Sequence, residues 1–510
     1  MATISDVIRK QKEENILYSP EVKDTETAGA GALTIGLVNE SSSNTVYAYV
    51  TGLSVSNNYA VVLLQADGST LYYPENPSSD DAALIKDCAI PLGAPGSTTK
   101  VTIPYISGGR IWFCVGSTLS FLLNSGTTGP SLIEPSVSNT ADPNYLKSWD
   151  FCEFTYDSSQ LFANITYVDF VCLPIALTLN GPNGLVEHIG GLPADGLSTV
   201  CSNLIAQNGV DGAGWDQLVV TNGDANLRAL HPTQGIAFNP ALFKNYWDSY
   251  VDAVWDTYVG TTLTVNTQAS WGNVPGLTSN DSTSMLFGSM GSFTKPSAAD
   301  IFSGTSGAFA PKTANTSQLL NIGARLDAAF NRSTLLINPI QPDNESVSTY
   351  YNHAITNHYA RIVHAANVDG LGYCFPYDDV TPAGGTNQCG AVQNSTPTSF
   401  TVTVGGNNAH SQSNLPRAEV SKLPDAISAE PLHWNQPTPE ENSEQPSYLD
   451  SDSDIEFEKR PKRAKKTAYS KQSKFSFMRL PPILDYLFGG CFAATRWKSP
   501  SRRRKFSPAS

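Results

Sequence analysis

The chain has 510 residues, of which 40% are hydrophobic and only 15% charged, with a formal net charge of -14. So little charge, with many Gly, Ser, Thr and Asn residues, argues against a coiled coil or a helical repeat array and for a β-rich, loop-rich fold. Residues 1–410 hold 15 Lys+Arg against 34 Asp+Glu (-19), and residues 411–510 hold 17 against 12 (+5), so the body repels nucleic-acid phosphates but not a neutral polymer.

Residues 1–30 are polar and read as a flexible arm. No run reaches the ~18 apolar residues needed to cross a bilayer, so no membrane partner is expected. The opening MATISDVIRKQKEENILYSPEV lacks the apolar stretch of a secretory signal. From Ala32 the pattern turns to short alternating or apolar runs: ALTIGLVNE, NTVYAYVTGLS, YAVVLLQ, STLYYP, KVTIPYI, GRIWFCVG and LSFLLN, separated by turn signals such as Asp67-Gly68. Two further strands are expected at DFCEFTY and ITYVDFVCLPIALTL. This spacing predicts a β-sandwich or barrel over residues 31–184.

From about residue 185 the period becomes helical. NPALFKNYWDSYVDAVWDTYVG puts Phe243, Trp247, Tyr250, Val251, Val254 and Tyr258 on one stripe, with Pro240 near the start. SQLLNIGARLDAAF does the same with Leu319, Ile322, Leu326 and Phe330, and STYYNHAITNHYARIVHAAN with Tyr351, Ile355, Tyr359 and Ile362. A mixed α/β segment is thus expected over residues 185–365. Strand character returns over 366–406, at GYCFPYDDV and TSFTVTV. Residues 407–510, acidic around Asp450–Glu458 and then basic at KRPKRAKK, read as a mostly disordered tail broken by the apolar PPILDYLFGGCFAAT.

Eight cysteines occur without a CxxC, so no zinc ribbon is indicated; Cys374 and Cys389 are the nearest candidates for a disulfide, with buried thiols as the alternative. His353, His358 and His364 are expected on one helix, without an HExxH motif, and no metal or other cofactor is called for.

The chemically informative stretch is SWDFCEFTYDSSQLFANITYVDFVCLPIALTLNG, residues 148–181. A hairpin centred near Leu161 pairs Cys152 with Phe170 and Phe154 with Val168 on an apolar face. It pairs Glu153 with Asp169 and Thr155 with Tyr167 on a polar one. Like charges facing each other raise one pKa and leave the other group ionised, the division of labour that an acid/base pair needs. A solvated strand edge is the alternative. Trp149, Tyr167, Trp271 and Tyr377 are candidates for stacking on sugar rings, and Asp378 and Asp379 for the edge of a cleft or a turn.

The segments WDFCEFTY…ITYVDFVCLPIALTLNG and NHYARIVHAANVDGLGYCFPYDDV resemble glycoside hydrolase family 64, the β-1,3-glucanases built on a thaumatin-like domain; the two carboxylates stand sixteen residues apart, as in that family. The resemblance covers about residues 30–405. It implies a mainly β, α+β architecture: a thaumatin-like β-sandwich or barrel with an inserted mixed α/β domain, the two flanking a wide groove. It further implies endo-acting, inverting hydrolysis of β-1,3-glucan to oligosaccharides of about pentaose size, with Glu153 as general acid and Asp169 as general base. Carried over residue by residue, Thr155, Asp157, Phe162 and Thr166 would contact sugar. Asp157 stands where the family has an amide and Phe162 where it has an indole, and Thr166 is on the opposite parity from Asp169. A directly facing pair has Cβ atoms about 4.5–5.5 Å apart, tighter than the roughly 6.5–9.5 Å between carboxyls used for inversion. The hairpin alone therefore leans toward retention, while the family implies inversion. The resemblance places the protein outside the cell or in the cell wall; a monomer is expected. A glucan-binding or defence protein without turnover is the rival reading, and a cytoplasmic interaction protein steered by its tail a third.

Overall fold

The computed structural model describes residues 31–127, 129–312 and 315–406; these fall within one compact unit, Met1–Leu423. The expected arm (residues 1–30), the expected tail (407–510) with PPILDYLFGGCFAAT, and Cys491 lie outside the described residues.

The described chain is mainly β with few helices. Two sheets carry most of it. The first has five strands in the order Val186–Ile189, Ile175–Asn180, Ser399–Val404, Leu33–Asn39, Thr98–Ile103. Ser399–Val404 lies between the first strand of the body, parallel to it, and Ile175–Asn180, antiparallel. The chain thus returns to its first sheet after more than two hundred residues.

The second sheet has eight strands, running through Ala391–Asn394, Leu161–Ile165, Ser148–Tyr156, Ile106–Val115, Val46–Ser54, Ala60–Leu64 and Leu71–Tyr72, with Ile90–Pro91 paired to Val46–Ser54. Alternation gives its central strands two distinct faces. Ala48, Val50, Ile111, Phe113, Cys152, Phe154, Ala163 and Ile165 point one way and belong to a core shared with Ile35, Leu37, Leu177, Phe400 and Val402 of the first sheet. Gly109 permits this packing, because a Cβ there would fall 2.5 Å from the Phe154 ring.

Three smaller sheets complete the described β structure: Ser131–Ile133, Leu122–Asn124 and Ala82–Ala83; Phe170–Val171, Ala225–Leu230 and Val219–Asn222; and five strands between Leu263 and Gln341. The described α-helices fall between Gly196 and Ala366. The helices Gly196–Asp211, Pro232–Phe238 and Ala298–Ser303 carry no stripe that the sequence reading recognised. The predicted stripes are buried, apart from half-buried Ile355, yet two helices are shorter than expected. Asp248–Gly260 starts after Phe243, whose φ of 59° is left-handed and interrupts any helix through it. His358–Ala366 starts after Tyr351, also left-handed at 59°, and is capped by the Asn357 side chain accepting from the Ala360 N–H. His353 is therefore not on the helix that holds His358 and His364. Ser317–Arg332 matches its stripe.

Two expected strands are corrected. ITYVDFVCLPIALTL is not one strand: the chain leaves the second sheet at Ile165, forms Phe170–Val171 elsewhere, and joins the first sheet at Ile175. GYCFPYDDV makes a single bridge at Tyr373 and then turns. Cys374 is a free thiol, so the expected Cys374–Cys389 disulfide is not formed; Cys88, Cys114, Cys152, Cys172 and Cys201 are free as well, and all of these and Cys389 are buried. Among the described residues no helix is long and apolar enough to cross a membrane.

Candidate functional site

The hairpin between Ser148–Tyr156 and Leu161–Ile165 is tighter than the sequence suggested. Asp157 closes it: its Oδ1 accepts from the Ser159 N–H (2.7 Å), the Ser159 hydroxyl (2.5 Å) and the Gln160 N–H (3.1 Å). The register becomes Cys152–Ile165, Glu153–Asn164, Phe154–Ala163, Thr155–Phe162 and Tyr156–Leu161. The expected pairs Cys152–Phe170, Phe154–Val168, Glu153–Asp169 and Thr155–Tyr167 do not form. The Asp-Ser-Ser-Gln turn was the signal that could have set this register.

On the other face, one row across the second sheet reads Asn164, Glu153, Arg110, Thr51. Further along this face Trp112, Trp149 and Phe151 are buried, covered by Phe121 and Phe170. The end with Arg110, Glu153, Thr155 and Phe162 stays partly exposed. Arg110 donates from Nε (3.3 Å) and Nη2 (3.0 Å) to Glu153 Oε1, and from Nη1 to Glu134 Oε2. Its guanidinium centre lies 4.7 Å from the Phe151 ring and 5.6 Å from that of Trp112. Burial works to lower the Arg110 pKa, but Glu134, Glu153 and Asp169 more than offset it and raise it. Burial raises the Glu134 pKa, opposed by Arg110 and reinforced by Glu153 and Asp169. Four charged side chains from separate parts of the chain thus share one electrostatic environment.

Asp169 reaches that environment from a turn, not from the paired strand. Its carbonyl accepts from the His231 N–H (2.9 Å), and its Oδ1 accepts from Gln234 Nε2 (2.7 Å) on the helix Pro232–Phe238. The neighbouring Phe170–Val171 strand is tied down by Asp150, on the other face of the strand that carries Glu153. Asp150 Oδ2 accepts from the N–H groups of Cys172 (2.8 Å) and Leu173 (3.0 Å), and its Oδ1 from that of Phe151 (2.9 Å). Burial pushes Asp150 up to about 7, against those three N–H donors. The anchor of Asp169 is thus built from both the β-sheet and the helical segment.

Of the residues proposed to touch sugar, Thr155 and Phe162 lie opposite each other, two positions along the sheet from Glu153, and are partly exposed. Asp157 caps the turn. Thr166 and Tyr167 are buried: the Tyr167 hydroxyl donates to Asn367 Oδ1 (2.9 Å), its carbonyl accepts from the Tyr359 hydroxyl (2.7 Å), and the Thr166 hydroxyl has no hydrogen-bond partner. Trp149 is core, its indole N–H donating to the Asn144 carbonyl (3.0 Å), whereas Trp271 is 40% exposed. Asp378 edges no cleft. It is fully buried between Arg332 (3.1 Å) and His364 (2.9 Å), near Cys374. Both ring nitrogens of His364 already face oxygens, those of Asp378 and Gly370, and Arg332 supplies the counter-charge, so this cluster is closed as an ion-pair network.

The sequence reading missed Arg110, Glu134, Asn164, Gln234 and Asp150. A signal for Arg110 existed: a body with so few basic residues places one in the middle of an apolar strand, where a charge needs partners.

The chain is similar to known proteins over most of its described length. Residues 31–404 match the model of a family described as β-1,3-glucanase, glycoside hydrolase family 64. The chain is 28% identical over 289 residues to a glucan endo-1,3-β-glucosidase of Cellulosimicrobium cellulans (56% of this chain, 50% of that protein). It is also 28% identical over 287 residues to one of Arthrobacter sp. (strain YCWD3), with the same shares. The chain spans about half the length of these curated relatives. A crystal structure of a laminaripentaose-producing β-1,3-glucanase in complex with laminaritetraose is 31% identical, with a TM-score of 0.65, covering 74% of this chain and 99% of that one. A β-1,3-glucanase domain from Clostridium beijerinckii, at 21% identity and a TM-score of 0.56, covers 74% of this chain and all of that one and shares the fold.

Proposed function

Because the chain belongs to the β-1,3-glucanases of glycoside hydrolase family 64, we propose that it hydrolyses β-1,3-glucan internally, with Glu153 as general acid and Asp169 as general base. The observation that carries this reading is that Arg110, at the partly exposed end of the second sheet, bonds Glu153 and also feels the charge of Asp169 from a different element. Such hydrolysis needs one acid to protonate the leaving oxygen and one carboxylate to activate water. Both bonds from Arg110 fall on Glu153 Oε1, which leaves Oε2 for the proton given to the glycosidic oxygen. Asn164, not Asp169, is the strand partner of Glu153. The pair is therefore not held at the close spacing of facing strand residues, and inversion goes with the family resemblance. Thr155 and Phe162 extend the same face and would line the adjoining subsites.

The two large sheets form a thaumatin-like domain in this reading, with a mixed α/β domain inserted before the return strands, and the glucan lies in a groove between them. Asp169 held by Gln234 from the helical side is what such a junction requires. Products of about pentaose size and an extracellular or cell-wall site of action go with this reading. Replacement of an acid/base group typically costs about 10²–10⁴-fold in rate. Sugar release from laminarin is expected to fall by that much in Glu153→Gln and in Asp169→Asn. Full activity in either variant refutes the assignment, and glucan affinity without turnover in the unaltered protein leaves the non-catalytic reading standing. NMR of the first anomer released distinguishes inversion from retention.

A further inference from the structure

We propose that Arg110 and Glu134 form a positioning pair for this reaction: Arg110 fixes the Glu153 carboxylate, and Glu134 divides the Arg110 charge so that Glu153 is not locked in an ion pair. The inference rests on the proposed hydrolase reading and deepens it. Neither residue need touch the sugar; Arg110 acts through Glu153, and Glu134 acts through Arg110.

Geometry carries the first half. Two N–H groups of one guanidinium converge on a single oxygen, Glu153 Oε1, at 3.3 and 3.0 Å. The guanidinium is held from three sides: by the Phe151 and Trp112 rings, by Glu134, and by its own strand, which pairs residue for residue with that of Glu153. A planar fork clamped in this way leaves the Glu153 carboxylate little rotational freedom. A proton donor must be held that closely to act on a glycosidic oxygen.

Charge carries the second half. A cation bonded to one carboxylate alone favours its ionised form and works against an acid. Arg110 instead bonds both Glu134 and Glu153, and Asp169 adds its charge from farther off. The charged groups facing Glu153 are Arg110 from Ile106–Val115, Glu134 from the segment after Ser131–Ile133, and Asp169 from the turn before Phe170. The flanking Asn164 is uncharged, and the buried Cys152 thiol on the opposite face also feels the Glu153 charge. Glu134 therefore feels Glu153 and Asp169 as well as the cation that it bonds.

The two residues therefore move the site in opposite directions. Removing the Arg110 charge leaves three mutually repelling carboxylates, which hold protons to higher pH. Removing the Glu134 charge commits Arg110 to Glu153 and Asp169, which then ionise at lower pH. The test is the pH profile of kcat/KM on laminarin for the full chain, with thermal melting to confirm folding. Wild-type turnover comes first: its absence refutes the hydrolase reading and leaves nothing for this pair to position. Given turnover, both limbs are expected to rise by about one pH unit in Arg110→Gln and to fall by about one in Glu134→Gln. Arg110→Lys keeps the charge without the fork, so its limbs should stay in place while kcat falls about tenfold or more. Superimposable profiles for folded Arg110→Gln and Glu134→Gln, shifts of the same sign, or wild-type kcat in Arg110→Lys overturn the proposal. Should Arg110→Gln not fold, the half-exposed Glu134→Gln decides alone by the sign of its shift.

Discussion

Gln234 is the sharpest test of how Asp169 is held. Its amide donates a 2.7 Å hydrogen bond to Asp169 Oδ1 from a helix that belongs to neither large sheet. Gln234→Leu keeps most of the side-chain volume and removes the donor. A hydrogen bond to a charged acceptor contributes about 1.5–3 kcal/mol. Asp169 is only partly buried, so water can occupy the vacated place and return part of this. The low end, about 1.4–2 kcal/mol, is therefore expected, or roughly a 10- to 30-fold loss in kcat/KM. The loss should fall on kcat, because Gln234 orients the base and does not bind sugar. The acidic limb of the pH profile should move up, because the ionised base has lost a donor. Initial rates on laminarin across pH, with a melting curve for each variant, give all three quantities. A kcat/KM within twofold of wild type, or a loss carried entirely by KM, would refute the idea that Gln234 positions the base.

Asp157 gives a second discrimination. Asp157→Ala removes three bonds that close the hairpin and is expected to lower stability by about 1–2 kcal/mol in urea denaturation; a raised KM with unchanged stability would return it to sugar binding. Asp327 is fully buried with Oδ1 unpartnered, and burial, reinforced by Asp300, raises its pKa well above the usual carboxylate range. The folded state keeps a proton that the unfolded chain releases near an ordinary pKa of about 3.9. Stability from this site is therefore fully present below that value and declines as pH rises toward the folded pKa. Asp327→Asn should flatten melting temperature against pH, and an unchanged slope would count against it. Asp378 has the opposite sign. Burial acts to raise its pKa, but His364 and Arg332 outweigh it, so the stability it contributes is lost as pH falls. Arg332→Ala strands Asp378 and the Asp378 and Val380 carbonyls. It should cost about 3–5 kcal/mol in denaturant unfolding; a loss under 1 kcal/mol would contradict the network.

Local pattern alone determined much of this protein. The strands of the body, the buried stripes of Ser317–Arg332 and Asp248–Gly260, and the presence of Glu153 on a part-exposed strand face all follow from side-chain periodicity, which each segment carries within itself. The site was legible only in its parts. Whether Glu153 faces Asp169 or Asn164 depended on where the hairpin turned, and a side-chain cap at Asp157 made that choice. The helices beginning at Asp248 and His358 lost their first turns to left-handed residues, Phe243 and Tyr351, whose conformations are imposed by the core around them. Arg110, Glu134 and Gln234 come from distant points in the chain, and their approach to the two carboxylates is a matter of long-range sheet order and packing. Periodicity tells a residue which way to point; only the assembled fold decides what it meets there.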